Sequence, residues 1–174
     1  SDADYKFLKT KLKTDAYDEW YFIVWFMAAT GARVSELLHI KAEHVQVGYL
    51  DLYSKGGKIR RLYIPKTLRI EAIKWIKEKE LSSGYIFLNR FGQRITTRGI
   101  AQQLKHFAEK YGLNRDVVYP HSFRHRFAKN FLDRFNDLAL LADLMGHESI
   151  ETTRIYLRRT ASEQQKIVDR VVNW

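Results

Sequence analysis

A chain of 174 residues, 45% of them hydrophobic, is long enough for one domain with a real core and too short for a second of that size, and its apolar share excludes a disordered basic tail. The absence of cysteine excludes a disulfide framework and a thiolate metal site, and no apolar run comes near the eighteen or so residues of a membrane span. Thirty Lys+Arg against twenty Asp+Glu leave a net charge of +10, which favours polyanion partners. The sequence opens on polar residues without the apolar stretch of a signal peptide, so a cytoplasmic location is expected.

In chain order, residues 4–12 read as a short basic helix with Phe7 and Leu8 inward. Residues 15–29 form a strongly apolar helix, with Asp15 and Asp18 near its positive end. Its densest stretch, residues 20–29, is about as long as a buried core helix needs. Gly31 breaks it, and residues 34–40 make a second, shorter helix that Arg33 opens. The pattern then changes. Residues 49–53 and 59–64 are β-rich runs flanking Ser54-Lys55-Gly56-Gly57-Lys58, and Gly-Gly between such runs predicts a hairpin. Pro65 ends the second strand, and residues 67–80 return to helical spacing. Ser82-Ser83-Gly84 is a loop, followed at residues 85–88 by a short strand or buried turn. The remainder reads as helices at 97–111, 121–134, 137–145, 149–158 and 161–172. The predicted class is therefore α+β, mainly α, with one small antiparallel sheet in the N-terminal half.

Several side chains along this frame can carry chemistry. Arg33 and Arg124 both sit near predicted helix N-termini, where a guanidinium and backbone N–H groups together make an anion site. For Arg33 the plain alternative is an ion pair with Glu36, one turn away. His121 and His125 share a helical face at i, i+4, a spacing that also suits a zinc hydrolase. That chemistry wants a glutamate directly after the first histidine, and Ser122 stands there instead. Gly146-His147 sits between two helices, as a C-capping glycine and a solvated histidine would. Tyr156 follows nine residues beyond His147. By itself it would be a half-buried core tyrosine; with positive charge or a base beside it, its phenol becomes a nucleophile. Lys55, Lys58, Arg60 and Arg61 read either as a charged strand edge that discourages sheet pairing or as a hairpin that reaches a DNA groove.

Taken together, Thr30-Gly31-Ala32-Arg33-Val34-Ser35-Glu36, Lys55 in the hairpin, His121-Ser122-Phe123-Arg124-His125, Gly146-His147 and Thr152-Thr153-Arg154-Ile155-Tyr156 resemble the tyrosine recombinase (phage integrase) family. That family carries R…K…H-x-x-R…H/W…Y in order, and the likeness runs from Arg33 to Tyr156. Two departures are small: Glu43 stands where aspartate is usual, and Arg126 where threonine is common. The resemblance implies a tyrosine recombinase catalytic-domain fold over residues 1–174, without the family's N-terminal DNA-clamping domain. It implies site-specific DNA recombination or integration, with Arg33, Lys55, His121, Arg124, His147 and Tyr156 as catalytic residues. Tyr156 would attack a DNA phosphate to give a 3′-phosphotyrosine, Arg33 and Arg124 would hold the non-bridging oxygens, and His147 would add a hydrogen bond. His121 would accept the tyrosine proton and Lys55 would protonate the leaving 5′-oxygen. No ATP, metal or other cofactor is implied. The partners would be double-stranded DNA and, on paired sites, a homotetramer joined by exchange of C-terminal segments. A type IB topoisomerase and a non-catalytic DNA-binding module remain as alternatives. Phage integrase, conjugative-element transposase and chromosome-dimer resolvase are not separable from these residues.

Overall fold

The computed structural model describes residues 1–53, 58–147, 150–157 and 161–174. Ser1 caps α1 (Asp2–Thr14) by accepting from the backbone N–H of Asp4. Leu8 and Leu12, four apart, are its buried face, whereas Phe7 is 42% exposed and not inward as its apolar character suggested. The break after α1 falls at Asp15 and Ala16, the latter at φ 61°, so α2 starts later than expected, at Asp18–Thr30. Asp15 thereby leaves the start of α2 and accepts from the Tyr111 hydroxyl at 2.7 Å. α2 is apolar on nearly every side because it is central: Phe22, Ile23, Val24, Phe26 and Met27 are all buried.

The predicted helix at 34–40 is two short ones, α3 (Val34–Leu37) and α4 (Ala42–Val47). Lys41 separates them in an extended conformation, because its backbone bridges to Tyr85. The hairpin is present as expected: β1 (Tyr49–Tyr53) pairs antiparallel with β2 (Ile59–Tyr63), Leu52 opposite Arg60 and Leu50 opposite Leu62. Its tip, with Lys55, lies outside the described residues. α5 (Lys66–Glu78) follows. Residues 85–88 are a buried turn held by two isolated bridges, with Ile86 and Phe87 in the core. Helices α6 (Thr97–Lys110), α7 (Pro120–Arg134), α8 (Leu138–Met145), α9 (Ile150–Arg154), a 3-10 turn (Ile155–Leu157) and α10 (Ala161–Val171) complete the chain. Pro120 opens α7 at a position where its missing N–H costs nothing.

Two apolar clusters hold the fold. The larger one joins α1 to α6 and the hairpin, with Phe22 stacked on Trp75 at 4.5 Å and Phe26 edge-on to Phe87 at 5.4 Å. A smaller one joins Ala128 and Leu132 of α7 to Leu141 and Met145 of α8, with Tyr156 packed against it. The C-termini of α2 and α8 meet α7 at the seam between the clusters, and there the polar side chains gather. No helix among the described residues is long and apolar enough to cross a membrane.

Candidate active site

Arg124 is the anchor of that seam. Only 3% exposed, it donates Nη1 to the carbonyl of Gly31 and Nη2 to that of Met145 at 2.6 Å. Both carbonyls belong to helix C-termini, which carry partial negative charge and lack intrahelical partners. Two helix ends thus compensate the buried guanidinium, with the Glu36 carboxylate adding a smaller favourable charge. Glycine is required at both turns. Gly31 (φ 69°) and Gly146 (φ 72°) occupy the left-handed region, and an added Cβ would lie 2.5 Å from the Phe127 ring and 2.6 Å from Arg60 Nη1 respectively. Burial foremost, then the charge of Arg33, lowers the Arg124 pKa to about 10, so it stays protonated at neutral pH.

Arg33 opens α3 with its side chain half exposed. The expected pairing with Glu36 exists, at 3.4 Å, but Arg60 holds Glu36 far better, with a bidentate contact of 2.7 Å through each nitrogen. Glu36 also accepts from the Arg33 backbone N–H at 2.8 Å. Burial alone would raise its carboxyl pKa; the hydrogen bonds from Arg60 and the Arg33 backbone reverse this and hold it below the usual range. Arg60 is therefore no edge charge. It shares an inward face with Leu62, lies over Gly146, and ties the hairpin to the first arginine.

His147 follows the Gly146 cap, and its Nδ1 lies 2.6 Å from the hydroxyl of Thr153, a fully buried residue. Burial, then the charges of Arg124, Arg33, Arg60 and His121, push the His147 pKa down. A neutral imidazole accepting from Thr153 at Nδ1 carries its proton on Nε2, where it can donate to an anion. The same influences, burial first and then His125, Arg124 and Arg33, depress His121. Arg33, Arg124, His121 and His147 thus act on one another as one electropositive site. A cleft of about 740 Å³ lined by Arg33, Arg60, Lys58 and His147 opens between the hairpin and α8.

Tyr156 lies on the 3-10 turn, half-buried against the smaller core. Burial raises its pKa, and the charge of Arg124 works against that rise. Its hydroxyl is 2.6 Å from Nδ1 of His125, not of His121. His121 instead stands edge-on to His125, ring centroids 4.3 Å apart. Among the described residues no group of three or more His, Asp or Glu is placed to hold a metal. The sequence names three further contributors without these partners: Arg60 as a strand-edge or groove-reaching charge, His125 as the helical neighbour of His121, and Thr153 within the Tyr156 motif. Strand alternation with Leu62 marks Arg60 as inward, whereas nothing local pairs His125 with Tyr156 or Thr153 with His147.

Comparison with known proteins matches this arrangement to one family. The phage integrase family model matches residues 5–163. The tyrosine recombinase XerA of Pyrococcus furiosus is 34% identical over 154 residues, covering 85% of this chain and 53% of the relative. XerD of Listeria innocua is 34% identical over 141 residues, covering 76% and 47%. The chain spans about half the length of the curated relatives it matches. Among solved structures, the XerA recombinase superposes with a TM-score of 0.77 at 24% identity, over 98% of this chain and 61% of that one. The Tn1549 transposon integrase in complex with transposon right end DNA gives 0.81 at 17%, over 99% and 65%. At such identities these two establish the shared fold alone. XerH bound to a palindromic difH substrate gives 0.65 at 26%, over 89% and 45%.

Proposed function

The chain belongs to the phage integrase family, and from that membership we propose that it breaks and rejoins DNA at specific sites through a 3′-phosphotyrosine on Tyr156. The observation that carries this reading is the seating of the Tyr156 phenol on α7, 2.6 Å from Nδ1 of His125, the residue that follows Arg124, whose guanidinium is locked at two helix ends. A phosphodiester seated there meets Arg33, Arg124 and the Nε2–H of His147 at its non-bridging oxygens. These donors are fixed before charge builds in the pentacoordinate state, and losing one such preorganised donor costs roughly 2.7–4 kcal/mol. The Tyr156 oxygen forms a bond to phosphorus as the bond to the 5′-oxygen breaks. Lys55 on the hairpin protonates that oxygen, and His121 stands beside the site as a second group able to move a proton. A 5′-hydroxyl from a partner strand reverses the step. The phosphotyrosine keeps the energy of the broken ester, so no ATP is consumed.

The relatives support this reading over a topoisomerase or a non-catalytic module, since each of those named above is a recombinase or an integrase. Of the structures named above, the Tn1549 integrase is in complex with transposon right end DNA and XerH is bound to a palindromic difH substrate. Double-stranded DNA is therefore the proposed substrate, and residues 1–174 the catalytic domain of the reaction. On paired sites we propose a homotetramer joined through C-terminal segments. A nicked duplex that loses its 5′-hydroxyl strand after cleavage traps the covalent adduct. Tyr156→Phe is expected to abolish the adduct and keep DNA binding; an adduct on another residue of the Phe variant overturns the assignment.

A further inference from the structure

We propose that His125, not His121, takes the phenolic proton of Tyr156 as the phosphotyrosine forms. The inference rests on the recombinase reading above and deepens it. The hydroxyl of Tyr156 and Nδ1 of His125 are 2.6 Å apart, the separation of a well-formed O–H···N bond, and the two rings meet at 55°. Such reach between nucleophile and base is the geometric requirement for proton transfer. His121 occupies a different place. It lies one turn earlier on α7, with its ring at 88° to that of His125. Burial first, then the neighbouring His125, Arg124 and Arg33, lowers the His121 pKa below its ordinary value.

The need for an acceptor is local. Burial raises the phenol pKa above its ordinary value, and the opposing charge of Arg124 does not bring it back. A tyrosine so placed does not ionise unaided near neutral pH. In the step itself, a lone pair of the Tyr156 oxygen forms the O–P bond while the P–O5′ bond breaks. The phenolic proton passes to neutral Nδ1 of His125, and the 5′-oxygen takes its proton from a separate acid. On resealing, the imidazolium returns the proton to the departing Tyr156 oxygen. Asp2, Asp4, Arg126 and Lys129 line the same cleft as His125 and Tyr156, about 500 Å³ in volume, with Arg126 paired to Asp2 at 2.8 Å. That cleft also gives small molecules a path to His125.

The test uses the full chain on two nicked duplexes, one with the natural 5′-oxygen at the scissile phosphate and one with bridging sulfur. A thiolate leaves without being protonated, so sulfur restores variants that lack the acid and leaves variants that lack the base impaired. His125→Asn keeps a hydrogen-bonding group near the phenol but cannot take the proton. Its adduct formation is expected to fall about 100-fold on both duplexes, with DNA affinity unchanged. Lys55→Ala is expected to fail on oxygen and recover on sulfur. Added imidazole, entering by the cleft, is expected to restore His125→Ala, a response that loss of folding does not produce. Wild-type rates in His125→Asn, or recovery of that variant on sulfur, overturn the assignment while leaving the recombinase reading intact. A wild-type chain that forms no adduct on either duplex sinks both together.

Discussion

Arg33 and Arg124 face one phosphate in the proposed reaction, yet their surroundings demand different outcomes when each is replaced by lysine. Arg124 caps two helices from a buried position, and a lysine ammonium cannot bridge both carbonyls. Arg124→Lys is expected to lower stability by about 2–3 kcal/mol as well as cleavage by about 100-fold. Arg33 is half exposed, so Arg33→Lys is expected to cost cleavage as much but stability less than about 1 kcal/mol. Melting curves beside adduct assays separate the two, and equal losses of stability would contradict the capping role. The histidines add a dependence on pH. His121 and His147 both titrate below the ordinary 6.5 in the folded chain. Between those depressed values and the unfolded value, the unfolded chain binds more protons, so their contribution to stability is present above about 6.5 and lost as pH falls. Glu36, also depressed, adds a second loss below its unfolded value of 4.5. The melting temperature is expected to drop as pH falls below about 6.5, and the drop to flatten in a His121→Asn, His147→Asn variant. Thr153→Val keeps the shape but frees the His147 ring, and is expected to slow cleavage about tenfold with little effect on DNA affinity. Unchanged cleavage in that variant would show that the Thr153 bond does not set the tautomer.

At the level of elements, the hairpin owes its place to one side chain. Arg60 joins β2 to Glu36 and, through Glu36, to Arg33, with both partners of the pair nearly buried. Arg60→Met leaves the Glu36 carboxylate half-compensated, at a cost of roughly 3 kcal/mol or less given its residual exposure. Cleavage is expected to fall further than Arg33→Lys alone, because both Arg33 and the strand that leads to Lys55 lose their anchor. Wild-type cleavage in this variant would mean that the hairpin is positioned by its backbone alone. Such anchoring shows where reading the sequence stops. The long helices α5, α6 and α7 were legible because apolar periodicity and glycine or proline punctuation agree there, α2 because its unbroken apolar run ends at Gly31, and the hairpin because of its Gly-Gly. The split of α3 from α4 was not, since it depends on Lys41 pairing with Tyr85, far along the chain. Phe7 was misplaced for the opposite reason: in a short amphipathic helix Leu8 and Leu12 already fill the inner face. For the site, residue types and order pointed to Arg33, Arg124, His147 and Tyr156. What no local pattern carries is a partner chosen by tertiary packing, as with Arg124 on two carbonyls, His147 on Thr153, or Tyr156 on His125 rather than His121.

Across the whole molecule, charge and an uncovered apolar stripe make separate demands. A net +10 implies binding dominated by phosphate contacts, with log K falling against log salt at about −0.9 per phosphate neutralised. An affinity indifferent to salt would argue against a polyanion groove. The stripe is at the other end of the chain. α10 follows the Tyr156 segment and carries Val168, Val171 and Val172 about half exposed, with Trp174 beyond it 93% exposed. A row of this kind on a terminal helix gains stability only when something covers it, at about 25 cal/mol for each Å² removed from water. Its own core does not cover it here, which favours a second copy of the chain. A head-to-tail contact in which each protomer donates α10 to the next closes a ring on DNA and joins the position of Tyr156 to the presence of a neighbour. Deleting residues 163–174 is therefore expected to weaken assembly on paired sites and to uncouple cleavage from pairing, while the melting transition stays cooperative. Sedimentation on paired duplexes and adduct yield on single ones read the two effects separately. A truncated chain that loses its cooperative transition would place α10 in its own core and remove the basis for exchange.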